Sequence, residues 1–256
     1  MILIKTNTKI FLATLLSKFF RIFFPKNLIT NRNNLNYNLD LTEGVDLRIF
    51  LNFREERGLF NLVKLLDLNK KYNFIDVGSN VGSVSLELSK LFQNSKVYSI
   101  EPTNYAIKKF KCNLDLNPAN KKRIRLYQYF IGNNSKRETY SSWKLDFKKK
   151  NKHYVHGGSK RSTNNKFITL NKFVKKIGKK IHFIKIDTDG HEFEILKSGV
   201  QFLKKDKPII HIEFAPYLHR EYGYTTNKII KLIKNELKYE FYSESLEKIN
   251  NIFKYA

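Results

Sequence analysis

Across 256 residues the chain carries 48 Lys and Arg against 23 Asp and Glu, a formal net charge of +25, with 41% apolar and 14% aromatic residues. That apolar content excludes a chain disordered throughout. A single cysteine, Cys112, excludes an internal disulfide and a thiolate metal cluster and agrees with a reducing, cytoplasmic compartment. The charge would draw a polyanion, but the lysines are scattered rather than gathered in one stripe, so compositional drift explains them as well as a binding face does.

Residues 1–38 read as an extension and linker, and residues 39–256 as one α/β domain. The apolar run Ile10 to Leu16 is closed by Lys9 and Lys18 and is shorter than the roughly 20 residues that span a bilayer. On a helical wheel Phe11, Leu12, Leu15, Leu16, Phe19, Ile22 and Phe23 share one face, opposite Thr14, Ser17, Lys18 and Arg21. This pattern predicts a basic amphipathic helix. It packs either on its own domain or a second subunit, or on the inner face of a membrane. Asn27 to Asn38 is Asn-rich and reads as the linker.

From Leu39 onward strands alternate with helices. Arg57 to Leu68 predicts a helix, Tyr72 to Val77 a strand ending at Gly78, and Val84 to Phe92 a helix. Lys96 to Ile100 predicts a second strand, Asn104 to Leu116 a helix stopped at Asn117-Pro118, and Arg123 to Ile131 a third strand. Lys136 to Asn165 reads as a long loop containing His153, His156 and Gly157-Gly158-Ser159, with room for strand pieces. Then follow a helix at Leu170 to Ile177, a strand at His182 to Ile186, a helix at Phe193 to Val200 and a strand at Pro208 to Phe214. A helix at Thr225 to Leu237 and a terminal hairpin within Tyr239 to Ile249 complete the chain. The succession predicts a Rossmann-like, mostly parallel sheet with helices on both faces and a ligand site at the carboxyl ends of its strands.

After the first of these strands come Asp76, Gly78, Asn80 and Gly82. The glycines suit a tight turn and close approach of helix to strand. The spacing Asp-x-Gly-x-Asn-x-Gly differs from the dinucleotide fingerprint and disfavours a pyrophosphate ligand. An adenosine compound with an amino-acid tail needs instead an acid near its ammonium, for which Asp76 is placed, directly or through water, and another for its ribose hydroxyls. Glu101, 25 residues further on at a strand end, suits that second role.

The lead-in LDLTEGVDLRIFLNFREERG and then the ordered segments FIDVGSNVG, VYSIEPTNYAIKKFKCNLDLN, HGGS, FITLNKFV, FIKIDTDGHE and PIIHIEF resemble the FkbM-type methyltransferase family, together over roughly residues 39–245. The resemblance implies a Rossmann-like fold, S-adenosylmethionine as donor, and transfer to an oxygen of a sugar or other small metabolite. Where the family often has Val-Glu-Gly, this chain has Thr188-Asp189-Gly190. Asp187, Asp189, His191, Glu192 and Glu194 cluster after the fourth strand. A hydroxyl acceptor benefits from a base, and Asp189, His191 and Asp187 are the candidates, the first two favoured. Asp187 and Asp189 also suit a divalent cation such as magnesium, whereas Glu192 and Glu194 read as charges at a helix amino terminus. Glu213 is a further candidate for substrate contact.

The expected partner is therefore a small-molecule or glycan acceptor. Nucleic acid is not expected: the chain has no Pro-Pro, which base amino-methylating enzymes use after the fourth strand. An RNA ribose methyltransferase and a catalytically inactive membrane-associated scaffold are the alternatives.

Overall fold

The computed structural model describes residues 15–20, 22–52, 59, 61, 64–132, 140–144, 158–161 and 166–252. Its first strands, β1 (Leu28–Arg32) and β2 (Leu35–Leu39), form an antiparallel hairpin where the Asn-rich composition predicts a linker. The physical reason lies in two patterns. Asn33 and Asn34 both take positive φ, 50° and 58°, as a two-residue type I′ turn demands. Leu35, Tyr37 and Leu39 alternate inward and are buried, the period of a strand with one buried face.

Helix α1 (Gly44–Phe50) follows, then β3 (Asn73–Val77), α2 (Ser83–Leu91), β4 (Lys96–Ile100), α3 (Asn104–Asp115), the single turn α4 (Pro118–Lys121) and β5 (Ile124–Tyr127). Of the helix predicted over Arg57 to Leu68, Leu59 and Asn61 are helical, residues 64–68 are turn and bend rather than helix, and residues 57, 58, 60, 62 and 63 lie outside the described residues. Asn113 and Asn117 accept the outward amides of Asn38 and Asn36 at 2.8 and 3.0 Å. That fastens the hairpin to the α3–α4 corner without adding a strand.

The third predicted strand divides. After β5 the chain leaves the sheet, and β6 (Phe130–Ile131) pairs instead with β9 (Phe167–Ile168). Between them lie β7 (Tyr140–Lys144) and β8 (Gly158–Arg161), an antiparallel pair inside the predicted loop. His153, His156 and Gly157 lie outside the described residues.

Helix α5 (Leu170–Ile177) opens with a Thr169 side chain that accepts from Lys172 N at 3.2 Å and closes on Gly178. Strand β10 (Phe183–Ile186), α6 (Glu192–Ser198), α7 (Val200–Asp206), β11 (Ile209–Ile212), α8 (Pro216–Glu221) and α9 (Thr226–Lys231) follow, α9 running on as a π-helical turn over Leu232–Glu236. Helices α1, α7 and α8 and the single turn α4 exceed the sequence expectation. The terminal hairpin reduces to one antiparallel bridge, Tyr242 to Lys248.

Five strands form one parallel sheet in the order β11-β10-β3-β4-β5. Alternate side chains feed two cores. Phe74, Val97 and Phe183 point toward α2, α3 and the hairpin, while Ile75, Val77, Ile184 and Ile186 point toward α5, α6, α7 and α9. Phe74, Phe92 and Phe183 are almost completely enclosed, and each such side chain contributes about 1.5–3 kcal/mol. The direction of winding reverses between β3 and β10. A doubly wound sheet opens its ligand crevice at that point, beyond the carboxyl ends of the strands.

Candidate active site

The turn after β3 and the loop after β10 meet in this crevice. A Cβ at Gly78, whose φ is 79°, would lie 1.9 Å from the Asp187 carbonyl oxygen. Any larger residue would drive the two loops apart. Gly82, at φ 87°, makes room for the Phe110 ring of α3, so it serves helix packing.

Four amides of the β3–α2 turn are bonded inside the protein. Gly78 N and Ser79 N donate to Ile100 O at 3.0 Å, Gly82 N to Ser79 O at 2.8 Å, and Asn80 N to Glu101 Oε2 at 3.0 Å. Those amides cannot cradle a phosphate as a dinucleotide turn does. Glu101 also accepts from Thr103 N at 3.0 Å and Thr103 Oγ1 at 2.6 Å, both at Oε1. Two oxygens offer about four acceptor positions, so one remains on Oε2 for a ligand hydroxyl. The buried Ser79 hydroxyl in the same turn has no hydrogen-bond partner among the described residues. A carboxylate with acceptor capacity, an orphaned hydroxyl and no phosphate cradle fit an adenosyl amino acid. Glu101 would hold its ribose, and bound S-adenosylmethionine would supply a methyl group on a sulfonium.

Asp76 lies elsewhere. It is wholly buried, and its Oδ2 accepts from Ser85 Oγ at 2.5 Å. The sheet register sets Lys185 directly beside it, with the ammonium 3.7 Å from Asp76 Oδ1 and 3.1 Å from Asp187 Oδ2. Burial raises the Asp76 pKa, and the pull of Lys185 and Ser85 offsets only part of that. For Asp187 burial also pushes upward, but Lys185, the hydrogen bond with Glu213 and the charge of Arg48 together hold the carboxylate below its ordinary value. His211, the neighbour of Lys185 on β11, is pushed down to about 4 by burial and then by the same ammonium, and is neutral at physiological pH.

Asp187, Asp189 and Glu213 bring carboxylate oxygens within 4.8 Å of one another. Glu213 is exposed at the rim, yet the enclosure of its carboxyl and then the charge of Asp187 push its pKa up to about 8. A protonated Glu213 hydrogen-bonded to an ionised Asp187 accounts for both shifts.

His191, the third catalytic candidate, is 6% exposed. Phe130 and Tyr222 flank its ring edge to face, with centroids 4.9 and 4.2 Å away. It forms part of the wall of the site.

Glu192 does more than favour a helix dipole. It is 1% exposed, and its Oε1 accepts from Thr188 N, Thr188 Oγ1 and Gly190 N at 3.0, 3.0 and 3.3 Å. Its Oε2 meets His219 Nε2 at 3.2 Å, and His219 Nδ1 meets Thr226 Oγ1 at 2.8 Å. Thr226, His219 and Glu192 thus brace the loop that presents Asp189. Burial would raise Glu192, but the bonds from His219 and the loop hold its pKa low. Sequence reading passed over Lys185, although a lysine inside the apolar strand Phe-Ile-Lys-Ile was a signal. A buried cation needs a partner.

A family model of the methyltransferase FkbM domain matches residues 76–241, well over half of the chain. No curated protein sequence matches significantly. Among similar solved structures is a SAM-dependent methyltransferase from Aquifex aeolicus, at 14% identity and TM-score 0.38, covering 70% of this chain and 78% of that one. Another is precorrin-6y C5,15-methyltransferase from Geobacter metallireducens GS-15, at 15% identity and TM-score 0.36, covering 60% and 59%. A third is TrmK from M. capricolum with S-adenosylhomocysteine, at 14% identity and TM-score 0.32, covering 59% and 47%. The chain spans 34–59% of the length of the first four structures it matches. Residues 76–241 take in the β3–α2 turn, Glu101, the buried lysine and the acidic loop, and the match over them shows that the chain belongs to the FkbM methyltransferase family.

Proposed function

We propose that the protein is an S-adenosylmethionine-dependent O-methyltransferase acting on a hydroxyl of a sugar, in a glycan or lipid-linked precursor, or of another small metabolite. The observation that carries this reading is the convergence of Asp187, Asp189 and Glu213 beside the turn that fits the donor. Gly78 packs against Asp187, so acceptor and donor groups are neighbours.

In transfer to oxygen the acceptor hydroxyl bonds to the methyl carbon, the carbon–sulfur bond breaks with its electrons on sulfur, and the hydroxyl proton leaves. Asp189 is the base for that proton. The Glu192 brace holds the loop carrying Asp189, and holding reactants in place supplies much of such an acceleration. A cluster of three carboxylates suits a neutral hydroxyl better than a polyanion.

Asp189→Asn tests the assignment. Turnover falls by about 100-fold or more, while donor affinity by calorimetry stays within about twofold. Unchanged turnover removes Asp189 from the mechanism. The same three oxygens could take a divalent cation, a second reading that loss of activity on chelation, restored by magnesium, would support.

A further inference from the structure

The amino-terminal helical segment, residues 15–20 with 22 and 23, has two faces with different fates. One is docked on the domain. Ser17 is buried and donates to Leu41 O at 2.7 Å, while the Phe20 and Phe24 rings pack on Phe50 with centroids 5.1 and 5.3 Å away. At 3.6 residues per turn, Leu15, Phe19 and Ile22 fall on the side away from Ser17 and Phe20, and Leu16 and Phe23 lie on the flank between the two faces. All five are 41–77% exposed. Packing on the chain's own domain therefore satisfies only part of the segment. The outward row comprises five large apolar side chains, two of them aromatic, and soluble proteins seldom leave such a contiguous row in water without a partner.

Charge decides what covers it. The chain carries +25, and Lys18 on this segment and Lys26 just beyond it are exposed. A second copy would bring the same positive charge to the contact. An anionic lipid surface brings the opposite one and also has an apolar layer to receive phenylalanine and isoleucine. Among the described residues no helix is long and apolar enough to cross a membrane, which leaves a helix lying in the interface. We propose that this outward face docks the protein on anionic membranes, with Leu15, Leu16, Phe19, Ile22 and Phe23 entering the acyl boundary and Lys18 and Lys26 meeting the headgroups. Since the opposite face holds the domain, the catalytic unit would be carried at the membrane without undocking. The inference does not depend on the proposed methyl transfer.

Co-sedimentation of the full chain with vesicles tests it. Vesicles of phosphatidylcholine and phosphatidylglycerol should bind the protein at low salt, and pure phosphatidylcholine should bind it at least about tenfold less. Ile22→Ser with Phe23→Ser should lower binding to the anionic vesicles by at least about tenfold with an unchanged melting temperature, because both residues are exposed. Lys18→Glu with Lys26→Glu should weaken binding and flatten its salt dependence while leaving the apolar face intact. Wild-type and Ile22→Ser/Phe23→Ser proteins sedimenting alike would overturn the proposal. So would failure of the wild type to bind anionic vesicles, or a concentration-dependent dimer that the same double substitution abolishes.

Discussion

The ammonium of Lys185 stands 3.1 Å from a carboxylate oxygen of Asp187, the residue that follows β10 and opens the acidic loop. The same ammonium lies 3.7 Å from Asp76 under the donor turn. One buried cation therefore ties the two halves of the crevice together across adjacent strands.

Removing that cation strands the Asp76 charge in the interior. Lys185→Met should destabilise the protein by about 3–5 kcal/mol, and adding Asp76→Asn should recover part of the loss, because the unpaired charge is then gone. Urea denaturation of the two single variants and the double variant measures this. Strictly additive effects would show that the pair is not coupled.

The brace behind Asp189 predicts a second stability effect. Glu192→Ala leaves the Thr188 and Gly190 donors and buried His219 without their acceptor. A loss of about 3–5 kcal/mol is expected. Glu192→Gln keeps the shape and one acceptor oxygen and should lose about half as much. A loss below about 1 kcal/mol for Glu192→Ala, measured by urea denaturation, would mean that the loop stands without it.

Glu213 predicts a pH dependence of defined sign. Its pKa rises from 4.5 to about 8 in the folded protein, so the folded state holds the proton more tightly. The stabilisation is complete below about pH 4.5 and is lost as pH rises through about 8. Asp187, shifted the other way, loses its contribution only in acid, outside this window. Between pH 6 and 9 the melting temperature of the wild type should therefore fall more steeply than that of Glu213→Gln. Solvent exposure of Glu213 keeps the difference small. Parallel curves would remove the shared proton.

Much of this arrangement was legible in the residues. Short apolar runs ending in Gly78 and Glu101 marked the central strands, because a strand buried on both faces needs no alternation. The crevice at their carboxyl ends followed from the parallel order. The hairpin at Leu28 to Leu39 was hidden by asparagines, whose turn chemistry outweighed their linker-like composition. The departure of Phe130–Ile131 from the sheet depends on a partner, Phe167–Ile168, distant in the chain. Local pattern holds no record of such a pairing. The same limit applies to Asp76. Its position at a strand end suggested a ligand contact, direct or through water, and gave no sign of the bond from Ser85 or of the contact with Lys185, remote in sequence, that hold its carboxylate in the interior. Glu213 joined the acidic loop because β11 lies next to β10.

The central claim, donor-dependent methylation of a hydroxyl, is tested most directly with methyl-labelled S-adenosylmethionine, the full chain, and a panel of nucleotide sugars, glycans and RNA. The account predicts label in a sugar acceptor as an alkali-stable methyl ether, abolished by Asp189→Asn. Label confined to RNA, or no donor binding by calorimetry, would contradict it.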